Sequence, residues 1–174
     1  MNIHIMKRFI CIFLLLILAF SFVSCSSEVD EHGEVSYQYA RNFLVLDQDG
    51  NTVTLSQFIG KPIVINFWAS WCPPCRAELP DFEKAYKEYG DVVFLMVNLT
   101  DGSRETVDTA KDFISKNGYT FPVYFDTEFS ASYAYSLSSI PVTCFIDEEG
   151  NLVTSRVGMI DYDTLVDGIK KITE

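Results

Sequence analysis

Two nearly continuous apolar runs limit the folds open to this chain. Pro62-Ile63-Val64-Ile65-Asn66-Phe67 and Val92-Val93-Phe94-Leu95-Met96-Val97 have no polar face, which is how strands covered on both sides of a parallel sheet read. Between them Leu79, Phe82, Tyr86 and Tyr89 recur at helical spacing. Strand, helix and strand at this separation predict a right-handed βαβ unit. Phe43–Leu46 and Thr52–Thr54 flank Asp47-Gln48-Asp49-Gly50-Asn51, a hairpin pattern. The Asp-x-Asp-Gly turn is not a calcium loop, because its twelfth position is Phe58 and not the closing Glu.

A second helix is expected to open at Asp101-Gly102-Ser103 and to carry Val107, Ala110, Phe113 and Ile114. Val123-Tyr124-Phe125 reads as a short strand, and Thr143–Asp147 with Leu152–Val157 as a hairpin around Glu148-Glu149-Gly150-Asn151. A last helix, roughly Asp163 to Ile172, packs through Leu165, Val166, Ile169 and Ile172, with Lys170 and Lys171 at its negative end. These elements make one α/β domain over residues 40–174.

The segment before it is of another kind. Lys7 and Arg8 precede an uncharged run, Phe9–Phe20, and residues 1–27 hold no acid. That is the pattern of a secretory signal. The small residues before Cys25 resemble a bacterial lipoprotein signal, which implies cleavage after residue 24 and lipid attachment at Cys25, although Phe22 stands where Leu is usual. An uncleaved anchor over Phe9–Ser27 is the alternative. Either one places the domain outside the cytoplasm. Residues 25–39, with Glu28, Asp30, Glu31 and Glu34, read as a flexible acidic tether. His32 has no partner ligand nearby, and no metal site is expected. With 24 acids against 13 Lys and Arg and a net charge of −11, the chain is a poor match for nucleic acid or an anionic lipid surface.

The chemistry is concentrated in Trp71-Cys72-Pro73-Pro74-Cys75, between a buried strand and a helix. Two cysteines three apart at a helix start close a disulfide locally, and the helix N-terminus favours the thiolate. Cys72 is then the exposed attacking thiol and Cys75 the inward resolving one. Pro74 fits the first helical turn, where a missing N–H costs nothing. Zinc would need further Cys or His ligands, and haem attachment would need His where Arg76 stands.

Asn66-Phe67-Trp68-Ala69-Ser70-Trp71-Cys72-Pro73-Pro74-Cys75 resembles the active-site segment of the thioredoxin superfamily, and within it the TlpA/ResA-like membrane-anchored thiol-disulfide oxidoreductases. Ser139-Ile140-Pro141-Val142-Thr143 is similar to the superfamily's cis-proline loop. The resemblance spans roughly residues 40–172 and implies a thioredoxin-like fold. Such a fold has a central mixed β-sheet flanked by helices, here with an N-terminal β-hairpin extension. It also implies that Pro141 lies against the dithiol and that Ile140 offers its backbone to an extended substrate. Trp71, Pro73 and Pro74 would share that contact surface. Pro80 matches a proline inside the active-site helix, and Glu78 an acid close to the dithiol that can exchange protons with Cys75. Asn66 departs from general thioredoxins, which hold a buried Asp there, and Ser139 stands where Gly is common. Cys144, inside a strand apolar on both faces, reads as core.

The implied activity is a disulfide reductase acting on exported proteins, monomeric, with no cofactor beyond the Cys72–Cys75 couple. Its electrons would come from a membrane-embedded thiol carrier, and apocytochrome c or methionine sulfoxide reductase are implied substrates. A disulfide oxidase, a peroxiredoxin-like thiol peroxidase and a redox-inert anchored binding module are the alternatives.

Overall fold

The structure, a computed structural model, describes residues 38–174. The signal segment 1–24, Cys11, Cys25, His32 and the tether up to residue 37 lie outside the described residues. Eight strands form one sheet: β1 (Gln38–Tyr39), β2 (Leu44–Leu46), β3 (Thr52–Thr54), β4 (Ile63–Trp68), β5 (Val93–Asn98), β6 (Val123–Phe125), β7 (Val142–Ile146) and β8 (Asn151–Val157). Their order is β1-β8-β7-β4-β5-β6-β2-β3. Among the described residues four α-helices accompany them: α1 (Pro73–Glu88), α2 (Val107–Asn117), α3 (Ser130–Ala134) and α4 (Tyr162–Thr173). None of the described helices is long and apolar enough to cross a membrane.

The sheet is mixed, as expected. β4 pairs in parallel with β5 and β5 with β6, whereas β7 runs antiparallel to both β4 and β8. The parallel steps β4–β5 and β5–β6 move the same way across the sheet, so right-handed crossovers put α1 and α2 on one face. Apolar residues of α1, α2 and α4, among them Leu79, Phe82, Ala110, Ile114, Leu165 and Ile169, gather there with Val64, Trp68, Phe94 and Met96. The opposite face carries Ile63, Ile65, Phe67, Leu95 and Val97, covered by Phe43, Leu55 and Ala131. The β2–β3 hairpin adds to the sheet through Leu46 opposite Phe125.

The described chain departs from the sequence expectation in three places. Gln38 and Tyr39, assigned above to the tether, pair with Leu152 and Asn151 at the sheet edge. Two residues are too few to show a strand period. The second helix begins at Val107, not at Asp101. The Asp101 carboxylate accepts from the N–H groups of Ser103 (2.8 Å) and Glu105 (2.9 Å), closing a loop of its own around a left-handed Gly102. Thr106 then caps the helix with Thr109 in a capping box. The third departure is α3, which was not foreseen. Five residues carry too little periodicity, and the helix rests on a tertiary clamp in which Asp126 accepts from Ala131 N, Ser132 N and Ser132 Oγ.

Gly168 explains how closely α4 approaches the sheet. A Cβ there would sit 2.2–2.3 Å from ring carbons of Phe145 on β7, well inside contact distance. Alanine is the better helix former, yet Gly168→Ala is predicted to destabilise the fold by about 1–3 kcal/mol, because overpacking outweighs roughly 1 kcal/mol of propensity. The check is the urea midpoint, expected to fall at constant slope. An unchanged or raised midpoint contradicts the packing.

Candidate active site

β4 ends at Trp68, and Ala69-Ser70-Trp71 carry the chain to Cys72, the N-cap of α1. The cap is made by sulfur: Cys75 N–H donates to Cys72 Sγ at 3.3 Å. Pro73 and Pro74 occupy the first positions of the helix, where orphan N–H groups would otherwise need partners. Cys72 and Cys75 are joined as a disulfide, with Cα atoms 5.3 Å apart.

The cis-proline loop closes over this pair. The Ile140–Pro141 peptide is cis, and the Ile140 carbonyl oxygen lies 3.8 Å from Cys72 Sγ. Pro141 O in turn accepts from Gly158 N at 2.8 Å, tying the loop to the end of β8. Cys75 is wholly buried and Cys72 retains 3% of its surface. Cys72 is therefore the more open cysteine, but far less exposed than its place at a helix start suggests, because Ile140 is packed against it. Trp71 and Ile140 are half-buried, and Pro73 and Pro74 are exposed.

Glu78 lies one helical turn beyond Cys75 on the same buried face of α1, at 1% exposure. Its carboxyl accepts from Asn66 Nδ2 at 2.8 Å and from Ile160 N at 3.0 Å. Asn66 Nδ2 also donates to Thr143 Oγ1 at 3.2 Å. α1, β4 and the loop after β8 thus meet at one carboxyl, and β7 is joined to it through Asn66. Burial pushes the Glu78 carboxyl up to about 7, against the opposing effect of the two hydrogen bonds. Pro80 stands inside α1 without ending it, as the motif implied.

The sequence missed a second acid. Glu105 is fully buried and accepts from Ser70 N (2.9 Å), Ser70 Oγ (2.7 Å) and Asn98 Nδ2 (2.7 Å). It fastens the residues just ahead of Cys72 to the end of β5. Its neighbour Arg104 is exposed and lies 3.6 Å over the Trp71 ring. Neither residue has a periodicity or motif that would mark it. Cys144, by contrast, falls where expected: it is buried on β7 away from the dithiol cluster, and burial pushes its thiol up to about 12. Among the described residues no cluster of His, Cys, Asp and Glu is arranged to hold a metal.

A family model described as the AhpC/TSA family matches residues 37–155. The chain belongs to the AhpC/TSA family. Its resemblance to known members is specific. Thiol-disulfide oxidoreductase ResA of Halalkalibacterium halodurans is 33% identical over 123 residues, covering 70% of this chain and 68% of that protein. StoA from Bacillus subtilis superposes with a TM-score of 0.64 at 28% identity, covering 74% of this chain and 96% of StoA. The pneumococcal exposed lipoprotein thioredoxin Etrx1 of Streptococcus pneumoniae superposes with a TM-score of 0.64 at 32% identity, over 75% of this chain and 98% of Etrx1. This AhpC/TSA-family chain therefore has the thioredoxin-like fold and is a ResA-like thiol-disulfide oxidoreductase.

The buried Glu78 yields a pH test. Its carboxyl is raised in the folded state from 4.5 to about 7, so the folded chain binds the extra proton between those values. The stability this contributes is present below pH ~4.5 and is lost as pH rises toward ~7. Glu78→Gln cannot ionise. The stability of Glu78→Gln relative to the parent is therefore expected to rise by on the order of 2 kcal/mol from pH 4.5 to 7 and to level off above. Urea titrations of both oxidised proteins across that range check this, and a pH-independent difference refutes the assignment.

Proposed function

We propose that this protein is an extracytoplasmic reductase of disulfides in exported proteins. The observation that carries the reading is a dithiol couple at the start of α1, capped by its own backbone N–H and faced at 3.8 Å by the Ile140 carbonyl of a cis-proline loop. An extended partner chain laid along Ile140 and Pro141 brings its disulfide to Cys72, with Trp71, Pro73 and Pro74 as the opposite wall.

In the reduced protein the Cys72 thiolate attacks one sulfur of the partner's disulfide. A Cys72–partner bond forms, the partner's S–S bond breaks, and the leaving thiolate takes a proton. Cys75 then loses its proton and attacks Cys72 Sγ. The Cys72–Cys75 bond forms, the mixed disulfide breaks, and the second partner thiol leaves. Two electrons pass from the dithiol to the partner, and no further cofactor takes part. The helix N-terminus supports the Cys72 thiolate. Glu78, on the face of α1 that holds Cys75 and with a carboxyl near neutrality, is matched to receive the Cys75 proton. Asn66, itself bonded to Thr143, and Ile160 N hold Glu78 in place.

A reductant outside the cytoplasm must be recharged against an oxidising compartment. We assign that role to a membrane-embedded thiol carrier. Lys7, Arg8 and the apolar run up to Phe20, with Cys25 as lipid attachment site, would hold a monomeric domain at that membrane on the acidic tether. Two features support such an address: the leader pattern itself and the similarity to an exposed lipoprotein thioredoxin. Apocytochrome c thiols oxidised to a disulfide, or methionine sulfoxide reductases, are the proposed class of partner.

The deciding experiment is Cys75→Ser. It is expected to accumulate a mixed disulfide on Cys72 with its partner, visible on a non-reducing gel and lost in Cys72→Ala. If nothing accumulates, the division of labour between the cysteines is wrong. The couple's potential is expected near −270 mV; a value near −120 mV would make the protein an oxidase. Peroxide turnover by Cys75→Ser would instead favour a thiol peroxidase.

A further inference from the structure

The chain is strongly acidic, yet the rim of its dithiol is basic. Arg104 is exposed, with its guanidinium 3.6 Å from the ring centre of Trp71, the residue before Cys72. Arg76, the residue after Cys75, is exposed and sits 5.7 Å over the Phe113 ring. Among the described residues neither guanidinium has a carboxylate within 4.0 Å, whereas Lys87, Lys116 and Lys170 each pair with a neighbour on their own helix. Of the acids nearest to Arg104 in the chain, Glu105 is buried, whereas Asp101 is exposed and attracts Arg104 through space without forming an ion pair within 4.0 Å. Asp101 Oδ1 accepts from Ser103 N and Glu105 N, and both Glu105 oxygens are taken by Ser70 and Asn98.

Arg104 is also held. It sits between Ser103, whose N–H is bound by Asp101, and Glu105, anchored under Ser70. A long exposed side chain would ordinarily lose freedom on meeting a partner; here much of that loss is already taken in the free protein. A guanidinium lying over an indole keeps its N–H edge available for a planar acceptor. Among the described residues the Trp71 indole N–H has no partner, so the ring is positioned by packing and by the cation above it.

We propose that this rim selects partners that carry an Asp or Glu close in sequence to their disulfide. The partner's carboxylate docks on the free edge of Arg104 while its backbone runs along Ile140 and Pro141. Arg76 adds positive potential at the helix start. On a chain of net charge −11 an acidic partner is repelled by the surface as a whole, so a local basic rim turns its approach toward the dithiol. A partner with a basic flank meets like charge there. The chemistry that follows docking rests on the reductase reading; the docking preference does not.

Two peptides test this, each with one disulfide and alike except for Glu or Lys beside the cysteines. The same pair with Ser for Cys reports non-covalent docking on the oxidised protein through Trp fluorescence. The reduced parent protein is expected to favour the Glu peptide about three- to fivefold in kcat/KM, with a matching preference in docking. Both preferences should shrink toward unity near 0.5 M salt, where screening is short-ranged. Arg104→Ala is expected to remove the preference, Arg104→Glu to reverse it, and Arg104→Lys to keep part of it, with the changes in KM. Equal handling of the two peptides by the parent protein, or a preference that survives Arg104→Glu, overturns the proposal. If docking discriminates but no disulfide exchange follows, the rim assignment stands and the reductase reading fails.

Discussion

Strand β4 cannot move without dismantling the site. It is hydrogen-bonded on one edge to β5 and on the other to β7, and all six of its residues are buried. Alternation sends Ile63, Ile65 and Phe67 to one core and Val64 and Trp68 to the other, with Asn66 on the side of α1. A slip of one residue would exchange the faces and carry Asn66 away from Glu78 into an apolar layer. The register that packs the two cores is therefore the register that delivers Cys72 to the mouth of α1. It also sets Thr143 of β7 directly across from Asn66. Core packing and site geometry are here one constraint.

Acidic side chains then lock the loops to this frame. Glu83 accepts from Thr120 N, Thr120 Oγ1 and Phe121 N, Asp126 holds the start of α3, Glu105 holds Ser70, and Glu78 holds Ile160. All four acids are buried, and none of these clamps joins close sequence neighbours except that of Asp126. A buried carboxyl is costly unless its oxygens are filled, so each clamp works in both directions: the loop satisfies the acid, and the acid fixes the loop. Part of the acidic composition is thus internal architecture, not solvated surface. The two clamps nearest the dithiol act on opposite sides of it. Glu105 secures the approach to Cys72, and Glu78 secures the loop that follows β8 and backs the cis-proline turn.

What the sequence made legible follows from how local each signal is. The runs at 62–67 and 92–97, the helical spacing from Leu79 to Tyr86 and the two Asp/Gly hairpins are patterns within a single element, and each was found. The dithiol and the Ile140-Pro141 turn were readable because their chemistry is carried by neighbouring residues. Glu105 was hidden because its role depends on Ser70, 35 residues away, and on a loop whose Asp-Gly-Ser opening looks like a helix start. The five-residue α3 was hidden for a like reason, since Asp126 and not periodicity holds it. The near closure of Cys72 was invisible too: it depends on a carbonyl 68 residues further along the chain.

The pairing of Asn66 with Glu78 shows why an amide suits this position. As a carboxylate, Glu78 needs donors, and Asn66 Nδ2 with Ile160 N supplies them. Once protonated, one oxygen of Glu78 becomes a donor and needs an acceptor. The Asn66 carbonyl oxygen is buried and has no partner among the described residues, so the acceptor is already present on the same side chain. A turn of the amide about its own axis exchanges donor for acceptor without moving β4. A carboxylate at position 66 would offer only acceptors and would set two acids against each other in one apolar layer, where both could not stay ionised. The amide thus lets one buried acid hold or release a proton with a hydrogen-bond partner in either state. The proton-acceptor role proposed for Glu78 would draw on that property, which the backbone clamp at Ile160 N alone would not provide.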